Sequence, residues 1–200
     1  QQINDIRADP KDHLLGHLVA TEIEDGMLND EELLSFCRLL LIARDETTTG
    51  LITASARIFH EQPQTLAQLK QQSELSASLV DEALRFYSPF SVTVRRTTHT
   101  VEISVQSIAA GELVVPLASA NRDERAFDEP DKFKLDRSPN PHLGLGFGIH
   151  VCLGAHLARL EGKIVAEQMA QRYSSVTLAN PQAATVGELG GPKVLPVVVA

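Results

Sequence analysis

Residues 145–161 read LGFGIHVCLGAHLARLE, a single cysteine, Cys152, set among glycines at 146, 148 and 154 and followed at once by a helical pattern. Glycines this close together free the backbone to take positive φ and let a large flat body approach it, which a packed strand would not want. Past the cysteine, Leu153, Leu157, Leu160 and Ile164 recur at helical spacing, and Arg159, Lys163 and Arg172 fall outside that stripe. The thiol therefore stands at a helix N-terminus, where aligned peptide dipoles and free N–H groups favour an anion, as a soft metal ligand requires.

No second cysteine or CxxC lies nearby, which argues against a four-thiolate zinc or iron–sulfur site. A lone thiolate suits a haem iron better. The plainer alternative is a buried structural cysteine beside a glycine-rich turn. Cys37, far away in an apolar helix, reads as a small core residue, and two cysteines so placed form no disulfide framework. A reducing, cytoplasmic interior follows as the expectation. With 200 residues, 43% of them hydrophobic, one sizeable core and a single domain are expected. The net charge of -8 argues against nucleic acid or an anionic membrane as partner. The longest apolar run, around 39–43, is far too short to span a bilayer, and no signal peptide is expected. The chain starts at Gln1 inside a helical pattern and reads as a piece of something longer.

In chain order, residues 12–23 place Leu14, Leu15, Leu18, Val19 and Ile23 at helical intervals, with a stop near Gly26. Asn29 with Glu32 three positions on forms a capping-box signal. From there to about residue 59 nothing but Gly50 interrupts a helix of roughly thirty residues, roughly 45 Å long. Its segment LLSFCRLLLIA is apolar on most faces and should be buried. A chain holding only these residues would leave part of that face as an open apolar patch. ARDETTTG at 43–50 interrupts the apolar pattern with charges and threonines, a place where a helix opens or bends unless the polar groups are paired or wet.

Pro63 starts another helix to about Gln72, and Ser73 or Ser76 caps a third that ends before Pro89. Within the third, Glu82 and Arg85 share a face at spacing three. Residues 92–116 switch to strand alternation, with a turn at Ala110 and Gly111. Residues 120–143 are turn-rich and aperiodic, and residues 176–178 and 195–199 read as closing strands. The fold class is mainly α with small β-sheets, an α+β arrangement.

At these motifs the chain resembles the cytochrome P-450 family, the haem-thiolate monooxygenases, and specifically the C-terminal half of a soluble bacterial member. That family's cysteine loop carries an aromatic residue seven before the cysteine, a glycine four before and a glycine two after. Gly148, Cys152 and Gly154 match, and Leu145 stands where the aromatic residue is usual. The resemblance implies haem b, with Cys152 as the axial ligand of its iron and His150 and Arg95 on the propionates. It also implies a long central helix over the haem in which Ala43, Glu46 and Thr47 fill the oxygen-groove and proton-delivery positions, with Arg44 at a glycine position. Glu82 and Arg85 match the Glu-x-x-Arg brace, whose third charge falls to Lys132, Arg122 or Arg137, and residues 120–143 resemble the meander before the cysteine loop.

Domain organisation follows as one partial domain over residues 1–200, its N-terminal half absent. The implied activity is insertion of one oxygen atom from dioxygen into a small or medium apolar substrate, with electrons from a ferredoxin or flavodoxin-like partner. The competing expectation is a truncated or degenerate relative that keeps the fold elements without turnover, favoured by Arg44, Leu145 and the missing half.

Overall fold

The computed structural model describes residues 2–23, 26–180 and 194–200. Two units separate, Gln1–Asp45 and Glu46–Ala200.

In the first unit, α1 (Gln2–Ala8) and α2 (Leu14–Ala20) precede a minimal antiparallel pair, β1 (Glu22–Ile23) with β2 (Gly26–Met27). Ile23 is therefore a strand residue, where the helical spacing of residues 12–23 predicts a helical one. Two bridge residues on each strand carry too little pattern to compete with a leucine stripe. Arg7 ties the unit together, donating to the Leu28 carbonyl (2.6 Å) and to Asp30 Oδ1 (3.1 Å).

The long helix α3 (Asp30–Glu61, 32 residues) starts at the predicted box: Asn29 Oδ1 accepts from Glu31 and Glu32 N–H, both at 3.0 Å. Glu32 Oε2 returns the bond to Asn29 N–H at 2.9 Å. Three donors that the helix cannot satisfy internally are thus capped. The helix continues unbroken through 43–50, where the predicted opening does not occur. Most of those polar residues are exposed, so water solvates them and no desolvation cost forces the helix apart.

The expected burial of 33–43 is corrected. Leu33 is buried and Cys37 half-buried, but Leu34, Leu39, Leu41 and Ile42 lie exposed, Leu41 at 75%. An all-round apolar helix needs covering layers, and among the described residues nothing covers this face.

In the second unit, the end of α3 packs with α4 (Pro63–Gln71), α5 (Leu75–Phe86) and α7 (Ala155–Arg172) around Leu51, Ile58, Phe59, Leu66, Leu69, Leu79, Val80 and Leu84. Pro63 does begin α4. At α5 neither serine caps by its side chain. Ser76 lies inside the first turn and its hydroxyl shares its one proton between the Ser73 carbonyl (2.6 Å) and the Glu167 carboxylate of α7 (2.8 Å).

Helix α7 also departs from its predicted orientation. Its buried residues are Ala155, Gly162, Ala166 and Ala170, while Leu157, Leu160 and Ile164 lie exposed. The leucine stripe is turned roughly 160° round the helix from the small-residue stripe. Small residues let the backbones approach: a Cβ on Gly162 would stand 2.9 Å from Leu51 Cδ2 and 3.0 Å from Val80 Cγ2. Gly162→Leu should accordingly cost about 1–3 kcal/mol by overpacking, read as a lower urea midpoint.

The β structure is peripheral. β3 (Val92–Thr97) pairs antiparallel with β6 (Gly111–Pro116), and β4 (Val101–Ile103) forms a hairpin with β5 (Gln106–Ile108). The run VEISV is therefore split by a turn, with Ser104 at φ 56. A short α6 (Leu117–Ala120) leads into residues 121–147, which hold neither helix nor strand, as the turn-rich sequence predicts. β7 (Val176–Leu178) and β8 (Val197–Val199) close the unit as an antiparallel pair. Among the described residues no helix is long and apolar enough to cross a membrane.

Candidate functional site

The site is built outward from α5, whose acids grip the irregular chain that follows. Glu82 and Arg85 are wholly buried, with a bidentate contact: Arg85 Nε and Nη2 donate to the two Glu82 oxygens, both at 2.8 Å. Of the three candidate cations, Arg137 completes the cluster, its Nε 3.0 Å from Glu82 Oε2. Lys132 pairs with Glu129, and Arg122 stacks on Phe86 at 3.9 Å and pairs with Asp131.

Glu82 also accepts from Lys134 N–H (2.9 Å) and Asn140 Nδ2 (3.2 Å). Arg85 spends its remaining donors on the carbonyls of Asn121 (2.9 Å), Pro130 (2.8 Å) and Lys132 (3.0 Å). Arg137 adds the Asp128 carbonyl at 2.7 Å. A buried ion pair repays its desolvation only when the remaining polar sites are satisfied in this way. Here they are satisfied by main-chain groups and the Asn140 amide, so the cluster fixes the path of an aperiodic segment that has no ladder of its own.

That segment delivers the cysteine turn. The Asn121 side chain, itself buried, accepts from Leu143 N–H (2.7 Å). Gly146 and Gly148 take φ 75 and φ 65, the left-handed values that only glycine adopts cheaply. Gly148–His150 forms a 3-10 turn, and Cys152 N–H donates back to the Leu145 carbonyl at 2.7 Å. Leu145 packs against the core from this position, so the residue at the aromatic site anchors the turn through both side chain and main chain. The Cys152 carbonyl accepts from Ala155 N–H (3.1 Å), placing the cysteine just ahead of α7.

Cys152 is exposed, and so are its neighbours Phe147 (84%), Ile149 (96%), Val151 and Leu153. A Cβ on Gly148 would meet nothing within 4 Å, and one on Gly154 would meet only Cys152 Sγ at 3.9 Å. A soft sulfur thus sits on an open apolar surface with glycines on either side. Among the described residues no group of three or more His, Cys, Asp and Glu side chains could hold a metal ion. A lone sulfur among open apolar side chains is a donor set that fits haem.

His150 is exposed at the end of the 3-10 turn, and Arg95 is exposed on β3, its Nη1 donating to Thr93 Oγ1 (3.0 Å) and the Val94 carbonyl (2.9 Å). Glu46 is exposed and Thr47 half-buried, adjacent on α3, and Ala43 is exposed one turn earlier.

Sequence reasoning missed a second polar group beside the first. His142 Nε2 lies 3.3 Å from Asp81 Oδ1, and Arg159 Nε of α7 donates to the same oxygen at 2.8 Å. Asp81 stands next to Glu82, and Arg159 falls outside the leucine stripe, so the available signal was a pair of adjacent acids on a helix with one cation set apart. Burial raises the Asp81 carboxyl, but hydrogen bonds from His142 and Arg159, with the charge of Arg159, outweigh it and hold the group below the usual carboxylate range. A depressed carboxyl stabilises the fold above its unfolded pKa and loses that contribution as pH falls through the folded one. Asp81→Asn should therefore soften the acid limb of the stability profile below about pH 4 only slightly, because the partly wetted carboxylate is screened, read by denaturation at stepped pH.

A family model described as Cytochrome P450 matches residues 34–185. Cytochrome P450 109 of Bacillus spizizenii is 45% identical over 159 residues, 79% of this chain and 39% of the relative. Cytochrome P450 119 of Sulfolobus acidocaldarius is 43% identical over 174 residues, 86% of this chain and 47% of the relative. Among solved structures, cytochrome P450 CYP109Q5 from Chondromyces apiculatus superposes with TM-score 0.93 at 35% identity, covering 99% of this chain and 52% of that one. Bacillus subtilis PksS gives TM-score 0.93 at 36% identity, covering 100% and 53%. The chain thus spans about half the length of the relatives it matches. A cysteine turn braced by a buried Glu-x-x-Arg helix, matched over most of the chain by these relatives, places it in the cytochrome P450 family.

Proposed function

We propose that this chain carries the iron-holding and proton-relay parts of a haem-thiolate monooxygenase, and that residues 1–200 form part of one haem-binding domain. The carrying observation is Cys152, exposed on a glycine turn among open apolar side chains and fixed from behind by its bond to Leu145. Cytochrome P450 proteins use haem b. When bound, it supplies the iron at which dioxygen is reduced and split, with the thiolate pushing electron density toward it.

The chain's own residues do the rest. Cys152 Sγ would hold the haem iron as its thiolate ligand. Gly148 and Gly154 keep the approach to that sulfur free of side chains. His150 and Arg95 offer donors to the propionates, which charge-assisted bonds would hold in one orientation. On α3, Thr47 holds a hydroxyl proton and Glu46 a carboxylate next to it, a pair suited to pass protons in from solvent. Ala43, one turn earlier, leaves room beside the threonine.

The substrate is apolar and small to medium in size, and electrons come from a ferredoxin or flavodoxin-like donor. One related structure is a complex of Bacillus megaterium CYP109E1 with testosterone, and another holds P450BioI with a hexadecenoic acid on acyl carrier protein. A steroid and a long acyl chain are both mostly hydrocarbon, which supports the substrate class.

The test is the absorption spectrum of the reduced protein under carbon monoxide. A Soret band shifted far to the red, as thiolate ligation produces, is expected. Failure to take up haem would leave the reading of a remnant that keeps the fold without turnover.

A further inference from the structure

Both flanks of the cysteine turn are fastened to one side chain of α5. Before the turn, His142 is almost wholly enclosed, its side chain 3% exposed. Its Nδ1 accepts from Gly144 N–H at 3.1 Å. A backbone N–H can only donate, so the ring proton resides on Nε2, which donates to Asp81 Oδ1. After the turn, Arg159 of α7 reaches the same oxygen. Gly144 lies so near α5 that a Cβ there would stand 2.6 Å from the Leu84 carbonyl oxygen. The next residue, Leu145, accepts the Cys152 N–H.

We propose that Asp81, His142 and Arg159 are positioning residues for Cys152. Asp81 holds the chain before the turn and the helix after it at a fixed separation. His142, in its Nε2–H form, passes that constraint through Gly144 to the Leu145 carbonyl that sets the cysteine backbone. The adjacent acids of α5 thereby divide the work: Glu82 fixes the irregular segment through Lys134, Arg137 and Asn140, and Asp81 fixes the turn itself.

Positioning, rather than global stability, is the expected role of the Asp81–Arg159 arm. The side chains of Asp81 and Arg159 are 36% and 42% exposed and border a cleft of about 120 Å³ that Lys163 also lines. An ion pair so wetted adds little to folding. The enclosed His142 arm has no water to replace a lost partner.

The proposal rests on reading Cys152 as the iron ligand, and its test separates the two. In the protein as purified, His142→Leu should speed hydrogen exchange at the Cys152 amide about tenfold, the loss of one or two net hydrogen bonds. It should also lower the share of protein showing the red-shifted carbon monoxide band by a similar factor. His142→Gln, which keeps one acceptor and one donor, should restore most of both. Asp81→Asn serves where the leucine variant does not fold, and should give the same direction. Ser76→Ala, which cuts a different tie between α5 and α7, should lower stability and leave both readouts unchanged. Exchange at Cys152 as slow in His142→Leu and Asp81→Asn as in the wild type overturns the brace. A wild type without the red-shifted band but with the exchange difference intact upholds the brace and refutes the ligand.

Discussion

Glu82→Leu lowers the stability of the second unit by about 3–5 kcal/mol, the usual cost of leaving a buried charge without its partner. Arg85 is fully buried and the Arg137 side chain 5% exposed, so the variant strands two guanidinium groups where water cannot reach them. Against a typical total of about 5–15 kcal/mol, that loss brings a domain near its unfolding limit at physiological temperature. The measurement is urea denaturation, with the midpoint falling and the slope unchanged. Glu82→Gln keeps an oxygen for Lys134 N–H but turns an amide toward the guanidiniums, and should fall between the two. Joint replacement of Glu82 and Arg85 by leucine and methionine should recover part of the loss, because fewer charges remain to be desolvated. A loss under about 1 kcal/mol in Glu82→Leu would mean the cluster behaves as an ordinary surface pair.

What this cluster holds explains which parts of the fold were readable from the sequence. Helix starts are written locally: Asn29 and Glu32 exchange hydrogen bonds as their spacing predicts, and Pro63 opens α4 because its missing N–H costs nothing there. The small sheets announce themselves by alternation, and β3, β6 and β7 fall where that alternation lies. Arg137 could not be picked out from Lys132 and Arg122 because all three lie in a stretch with no period. The path of that stretch is set by the Arg85 and Arg137 contacts to main-chain carbonyls.

Helix α7 fails in a different way. Periodicity finds a stripe of large apolar side chains, yet the face that packs is the one that permits the closest approach, through Ala155, Gly162, Ala166 and Ala170. Small residues score weakly on hydrophobicity and strongly on geometry. The same principle governs 33–43, where composition demands burial but burial needs a covering layer. The exposed faces of α3 and α7 belong to a chain that spans about half of its relatives' length.

Cys152→Ala abolishes the red-shifted Soret band of the reduced protein with carbon monoxide. The alanine side chain offers no lone pair, and Cys152 is the one cysteine of the second unit. Stability should change by less than about 0.5 kcal/mol, because an exposed side chain away from any cap or cluster contributes little to folding. The Cys152 N–H bond to Leu145 is a main-chain bond and survives the substitution. Loss of the band with an unchanged urea midpoint would assign the ligand without ambiguity, because the turn would still be formed. Cys152→Ser tests the same point with an oxygen of similar size, a harder and far less acidic donor, and should likewise fail to give the shifted band. Retention of that band in Cys152→Ala would move the iron ligand elsewhere and leave the glycine turn as a structural feature of the second unit.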